Sequence, residues 1–194
     1  MLADAIRRAG HRVTVTHEPG GTRAGEAIRA IFLDPAVSLD VAAELLLALA
    51  DRAQHVREKL RPALDSGEIV ISDRYSDSTV AYQGYARGFE LGLLGELNRM
   101  AADGIMPDLT IVLDCPVATG LERTRSRMAG TAARTPDRFE GERAEFHTRV
   151  REGFLAIARA EPGRVMVIDS ARGIEVVGAE IRRAAERLLE RRCL

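Results

Sequence analysis

The chain has 194 residues, a formal charge of −1 at pH 7 and 46 % apolar residues. That length suits one domain with a full core, and aromatics at only 4 % make that core aliphatic. A charge so near zero argues against a nucleic-acid binder with a broad basic face. No apolar run has the length of a signal-peptide core or a membrane span. Of 28 basic residues, 27 are arginine and Lys59 is the one lysine, a skew that genomic base composition alone can produce. Cys115 and Cys193 form no metal or disulfide pattern, so reduced thiols in a cytoplasmic protein are expected.

Leu2 to Ala9 reads as the last turns of a helix, with Gly10 as its stop. Arg12 to Thr16 alternates in the β-branched manner of a strand. Glu18-Pro19-Gly20-Gly21-Thr22 is a tight loop, and Thr22 can cap a helix through Ile28 and Ile31 to Leu33, ended by Asp34-Pro35. A helix followed by a strand is half of a strand–helix–strand unit. Leu39 to Leu64 predicts one long helix whose buried side carries Leu45, Leu46, Leu49, Ala53, Val56 and Leu60. Ser66-Gly67 stops it.

The apolar run Ile69 to Ile71 then leads into Ser72-Asp73-Arg74-Tyr75. In open α/β sheets, ligands sit at the carboxyl ends of such strands. Asp73 suits a magnesium-bound nucleotide there, and Arg74 a phosphate; an ion pair capping an ordinary strand would look the same in sequence. Thr79 to Gln83 begins another helix, Gly84 to Gly88 reads as a loop, and Leu91 to Ala102 as a further helix. Pro107 precedes the strand Leu109 to Leu113, and Asp114-Cys115-Pro116 launches a helix with proline near its first turn.

Between Glu122 and Arg138 stand five arginines against two acids, a local charge of +3, with small residues through the middle. This is the composition of a basic flap: a lid over phosphates, or a solvated loop. Glu142 to Ala160 is a helix, Val165 to Ile168 the last strand with Asp169-Ser170 as its exit, and Ile174 to Leu189 an amphipathic closing helix. Strands and helices alternate throughout, which predicts an α/β fold with a mainly parallel sheet and helices on both faces.

Taken together, these pieces make the chain resemble the bacterial thymidylate kinase family. The resemblance is carried by Glu18-Pro19-Gly20-Gly21-Thr22 with Gly25-Glu26 and Ile28-Arg29, by Asp51-Arg52-Ala53-Gln54-His55, and by Asp73-Arg74-Tyr75 with Ala81-Tyr82-Gln83-Gly84 and Arg87-Gly88. Pro107-Asp108-Leu109-Thr110, Leu113-Asp114 and Asp137-Arg138-Phe139-Glu140 complete it. It runs almost end to end, and it is the order and spacing of the pieces that make it specific. The resemblance implies a P-loop nucleoside monophosphate kinase fold in one domain over residues 1–194, with a basic lid at about 123–138. It implies transfer of the ATP γ-phosphoryl group to dTMP with magnesium and suggests a homodimer; charge and hydropathy add the expectation that the protein binds neither nucleic acid nor membrane.

Residue by residue, the resemblance places Arg74 on the dTMP phosphate and Asp73 beside magnesium and the acceptor. It places Arg52 on a thymine carbonyl, Thr79 and Gln83 on the base, Tyr82 under the sugar where it disfavours a ribose hydroxyl, and Glu18 and Pro19 along the sugar side. Arg138, with Arg127 or Arg134, belongs to the lid over ATP. Phosphoryl transfer is mostly positioning and charge neutralisation, which arginines supply. A donor aimed at a carbonyl also tells thymine from cytosine, whose amino group would face it with another donor.

Two departures stand out. The family begins with a strand, a Gly-x-x-x-x-Gly-Lys-[Ser/Thr] loop and a helix; no such motif occurs here, and the lysine is at 59. A start codon placed too late or a truncated chain is the preferred explanation, and the 194 residues as written are expected to be poorly active and destabilised. The alternative is a non-catalytic homologue that binds a nucleotide or a partner. Ala48 is the second departure, since the family usually has an aromatic three residues before the Asp, stacking on thymine. Losing that stacking costs about 0.5–1.5 kcal/mol, with Leu47 or Leu49 to fill the gap, and it leaves room for another deoxynucleoside monophosphate as substrate. His17, where arginine is common, reads as a surface or loop-packing residue.

Overall fold

Two parallel strand pairs frame the molecule. The computed structural model describes residues 1–129 and 136–192, and the side chains within them except those of 127–129 and 192. The first half runs α1 (Leu2–Arg8), β1 (Val13–His17), α2 (Arg23–Leu33), α3 (Val41–His55), a π-helical turn (Val56–Leu60), α4 (Arg61–Asp65) and β2 (Ile69–Asp73). Next come α5 (Ser76–Thr79), a π-helical segment (Val80–Ala86), α6 (Leu91–Ala101), β3 (Thr110–Asp114), α7 (Val117–Ala129), α8 (Ala144–Ala160), β4 (Val165–Asp169) and α9 (Ile174–Arg192). The α/β alternation read from the sequence holds.

β1 and β2 pair in parallel from Val13↔Ile69 to His17↔Asp73, and β3 and β4 from Thr110↔Val165 to Asp114↔Asp169. Among the described residues the pairs share no ladder, so the expected single sheet is realised as two parallel pairs. Periodicity fixes the type of an element; it does not say which strands lie side by side. A polar bridge joins the two halves. Arg164 donates to both carboxylate oxygens of Asp77, at 2.8 and 2.9 Å, and to Thr110 Oγ1 at 2.8 Å.

The long helix expected over Leu39 to Leu64 is present from Val41 to Asp65 as α3, the π turn and α4 without a break. Its buried side differs from the expectation. Leu45, Leu49, Val56 and Leu60 are buried, but Leu46 is 61 % exposed and Ala53 is exposed. A 3.6-residue turn carries Leu46 about 100° away from Leu45. The expected loop at Gly84 to Gly88 begins later, because the helical segment runs on to Ala86 and holds Gly84 buried.

The larger core cluster contains Phe32, Ala81, Ala86, Phe139, Phe146, Val150 and Ile157, and Ala48 and Tyr82 pack against it. Few as they are, the aromatics are concentrated here. Tyr82 meets Phe139, Phe146 and Phe154 edge-on at 5.4, 6.0 and 6.4 Å, geometry that the ring quadrupoles favour. The smaller cluster gathers Leu45, Leu49, Leu94 and Ala101. Leu49 therefore belongs to a different core from the one Ala48 faces, and it does not fill the place beside Ala48.

Candidate active site

A cavity of about 1240 Å³ opens at the carboxyl ends of the strands. Its wall includes Glu18, Pro19, Arg29, Phe32, Ala48, Asp51, Arg52, Arg74, Tyr82 and Gln83 on one side and Asp114, Cys115, His147 and Arg151 on the other. It thus brings together Glu18, Pro19, Arg52, Arg74, Thr79, Tyr82 and Gln83, which the sequence nominated separately.

The loop after β1 is built on buried charge. Glu18 N donates to the carbonyl of Asp73 at 3.0 Å, extending the β1–β2 pairing by one bond. Gly20 has φ +113, a conformation in which a side chain is strained, and its N–H donates to Asp51 Oδ1 at 2.9 Å. A Cβ at Gly25 would sit 2.4 Å from that same Asp51 oxygen, so the first turn of α2 fits against Asp51 only as glycine. The other Asp51 oxygen, Oδ2, is buried with no partner among the described residues. Burial raises the Asp51 pKa from 3.8 despite the Gly20 hydrogen bond, and the neighbouring Glu18 adds to the rise.

Beside it lies a closed network. Arg52 Nε and Nη2 both donate to Glu18 Oε2, at 3.0 and 2.8 Å, and Nη1 donates to Thr79 Oγ1 at 3.0 Å and Asn98 Oδ1 at 2.6 Å. His55 Nδ1 meets Glu18 Oε1 at 2.8 Å, and its Nε2 meets Thr16 Oγ1 at 2.7 Å. Glu18, Arg52 and His55 are 4, 3 and 0 % exposed. The guanidinium of Arg52 also stands over the Tyr75 ring, 5.1 Å from its centroid. Arg52, expected on a thymine carbonyl, therefore has four of its N–H groups committed within the protein; a guanidinium has five.

Arg74 differs. It follows β2 in the left-handed region at φ 70, uncommon for a residue with a side chain, and Ser72 Oγ donates to its carbonyl at 2.7 Å. Such backbone strain costs of order 1–3 kcal/mol and collects at functional sites. Its guanidinium stands 4.9 Å from the Tyr82 centroid. Desolvation works against its charge, but Tyr82, Asp73 and Asp137 outweigh it and the pKa is raised. Asp73 ends β2 as an exposed carboxylate.

Magnesium that travels with a nucleotide takes one or two carboxylates and completes its shell with phosphate and water. Asp73 fits that pattern, and the described residues hold no group of three acidic, His or Cys side chains that would build a cage.

Three of the nominated positions carry protein contacts that the sequence did not show. Gln83 Nε2 is turned to Glu44 Oε1 at 2.7 Å. Arg138, expected in a lid over ATP, donates through Nη1 to Glu44 Oε2 at 2.5 Å and through Nε to the Phe32 carbonyl at 3.0 Å, with Nη2 buried and unpartnered among the described residues. It also lies against the Phe32 and Phe139 rings. Leaving the buried Glu44 carboxylate without a cation would be costly, and that holds Arg138 there. The third concerns the missing aromatic at Ala48. Ala48 lines the cavity, with Phe32, Tyr82 and Phe139 in the same wall. Arg127 and Arg134 lie outside the described side chains. His17, the last residue of β1, is half-buried, with Nε2 3.5 Å from Glu26 Oε1.

Sequence reasoning missed Glu44, Asn98 and Thr16. Glu44, Ala48 and Arg52 recur every fourth residue on α3, and Asp51 and His55 recur likewise. For Glu44 the available signal was a charged group held on the buried part of a helix; Asn98 and Thr16 gave none.

The family profile for thymidylate kinase matches residues 1–181 of the chain. The thymidylate kinase of Solidesulfovibrio magneticus is 51 % identical over 182 residues, covering 93 % of this chain and 87 % of that protein. That of Geobacter sulfurreducens is 49 % identical over 180 residues, 92 % and 84 % of the two chains. The crystal structure of thymidylate kinase from Ehrlichia chaffeensis superposes with a TM-score of 0.74 at 33 % identity, covering 95 % of this chain and 87 % of that one. With its cavity at the strand exits and its relatives matched over nearly their whole length, the chain belongs to the thymidylate kinase family.

Proposed function

We propose that the cavity binds dTMP and that the chain's reaction is transfer of the ATP γ-phosphoryl group to it, giving dTDP. The observation that carries this reading is Arg74, held in a strained backbone at a strand exit and stacked on Tyr82, in a cavity that also contains Arg52, Thr79 and Gln83. Arg74 holds the acceptor phosphate, and Tyr82 packs under the sugar. Thr79 and Gln83 meet the base, with Glu18 and Pro19 along the sugar side. Arg52 offers the thymine carbonyl its remaining Nη2 proton. Asp73 contributes to the shell of the magnesium that arrives with ATP, which when bound neutralises phosphate charge. The family likeness assigns Arg127 and Arg134 to ATP, and Arg138 pairs with Glu44.

The test is ADP release from magnesium-ATP with dTMP as acceptor and dCMP as control. The 194 residues contain no Gly-x-x-x-x-Gly-Lys-[Ser/Thr] loop, so slow but dTMP-dependent release is expected. Arg74→Ala should lower kcat/KM by roughly 10²–10³, the cost of removing one charge-stabilising donor. Equal release with either acceptor would overturn the reading. Binding of dTMP without turnover would fit both a truncated kinase and the second reading, a non-catalytic nucleotide binder.

We infer also a cytoplasmic homodimer, with the exposed Leu46 on α3 and Leu93 and Met100 on α6 as apolar surface for it. No helix among the described residues is long and apolar enough to cross a membrane. Sedimentation at micromolar concentration checks the dimer.

A further inference from the structure

Glu44 has no substrate or metal role above, yet both oxygens of its carboxylate are engaged beside the cavity. It is 1 % exposed. Oε1 accepts from Gln83 Nε2 at 2.7 Å and from Arg87 Nε at 3.3 Å. Oε2 accepts from Arg138 Nη1 at 2.5 Å and pairs with Arg87 Nη2 at 3.2 Å. Arg87 is fixed in turn by Glu142 at 2.7 Å and by the Phe146 ring, 4.5 Å from its centroid. Both oxygens are thus held from two directions, and the carboxylate cannot turn without breaking an ion pair.

An ionised carboxylate only accepts hydrogen bonds, whereas an amide has one donating and one accepting end. A carboxylate fixed in this way therefore decides which end of a neighbouring amide faces it. Gln83 is 2 % exposed and lines the cavity. Its NH₂ is committed to Glu44, and no donor among the described residues reaches its Oε1. We propose that Glu44 is a positioning residue for base selection: it locks the Gln83 amide with its oxygen free for the nucleobase, as an acceptor. This rests on the reading of the cavity as a dTMP site. Thymine carries a donor at N3–H, and cytosine carries a bare acceptor there. An amide locked as an acceptor welcomes the first and repels the second; a freely flipping amide accommodates both.

The experiment measures the dissociation constants of dTMP and dCMP by calorimetry for the full chain and for Glu44→Gln. A glutamine at 44 can face Gln83 with either end, so the lock is lost. The preference for dTMP should fall by roughly tenfold, the worth of one hydrogen bond, mainly because dCMP binds better. A structural role alone would weaken both ligands together and leave the ratio unchanged, and that result overturns the proposal. If the wild-type chain does not bind dTMP, it is the reading of the cavity that fails.

A second measurement covers a variant that does not fold. The wild-type chain has two glutamines, Gln54 and Gln83, so glutamine-selective ¹⁵N labelling gives two side-chain NH₂ pairs. The pair assigned to Gln83 should stay protected from solvent exchange when dTMP is added. Loss of protection on binding would mean that the amide turns its donor to the base, and would also overturn the proposal.

Discussion

Each strand pair ends in a carboxylate held by an arginine, and the two ends differ in everything but chemistry. At the β1–β2 exit, Arg52 meets Glu18 at 2.8 Å with the side chains 3 and 4 % exposed. At the β3–β4 exit, Arg151 grips Asp114 through Nε and Nη2 at 2.6 and 2.8 Å, with the side chains 42 and 20 % exposed. The contact distances would rank the second pair as strong as the first. Burial reverses that ranking. The first pair has given up its water and depends on Thr79, Asn98 and His55 to complete it; the second still has solvent at hand. One exit is a fixed platform, and the other is a surface that can release its partners.

Removing Glu18 gives the largest expected effect. Glu18→Ala leaves Arg52 buried without its counter-ion and His55 without its Nδ1 partner, and breaking a buried pair on one side costs about 3–5 kcal/mol. Folded domains have only about 5–15 kcal/mol in total. Urea denaturation should therefore show a large drop in midpoint with little change in slope. A loss below about 1 kcal/mol would put Glu18 in the same class as Asp114 and dissolve the contrast.

The buried exit was only half legible in the sequence. Strand identities came from β-branched runs, and the Asp-Arg-Tyr and Glu-Pro-Gly-Gly-Thr segments marked the cavity through family likeness. What could not be read was who holds whom. Arg52 and Glu18 are 34 residues apart and Gln83 and Glu44 are 39 apart, and no local periodicity encodes such pairings. Arg52 and Gln83, nominated as substrate ligands, therefore also carry protein contacts that the sequence does not show. The π-helical turn at Val56–Leu60 was equally hidden, because it leaves the apolar content of the helix unchanged and shifts only the phase of its stripe. Glu44 is a readable clue: a charge on the buried side of a helix needs partners, and partners mark a site.

Asp51 sharpens the comparison with an intermediate effect. Its pKa is raised, chiefly by burial, above the unfolded value of 3.8. The stability that goes with this shift is present below pH 3.8 and is lost as pH rises through the folded value. Asp51→Asn removes the titrating group but keeps an oxygen for the Gly20 N–H. Relative to wild type, the variant should therefore gain stability as pH rises from 3.8 through the folded value and keep that gain above it. Denaturation midpoints across that range check it; a difference independent of pH would mean that the carboxylate is not desolvated in solution.

The smallest effect belongs to the open exit, and its sign is opposite. The Arg151 hydrogen bond holds the Asp114 pKa below 3.8, against a lesser contribution from desolvation. The stability from this pair is present above 3.8 and is lost as pH falls through the folded value. Solvent screens the pair, so Arg151→Ala should cost only about 0.2–1 kcal/mol at neutral pH. That cost should shrink both in 1 M salt, where the screening length is about 3 Å, and in acid, where Asp114 is protonated. The buried pair at Glu18 should respond little to salt. A cost at Arg151 that survives 1 M salt would show that the β3–β4 exit is desolvated in solution, and the two strand exits would then be platforms of one kind.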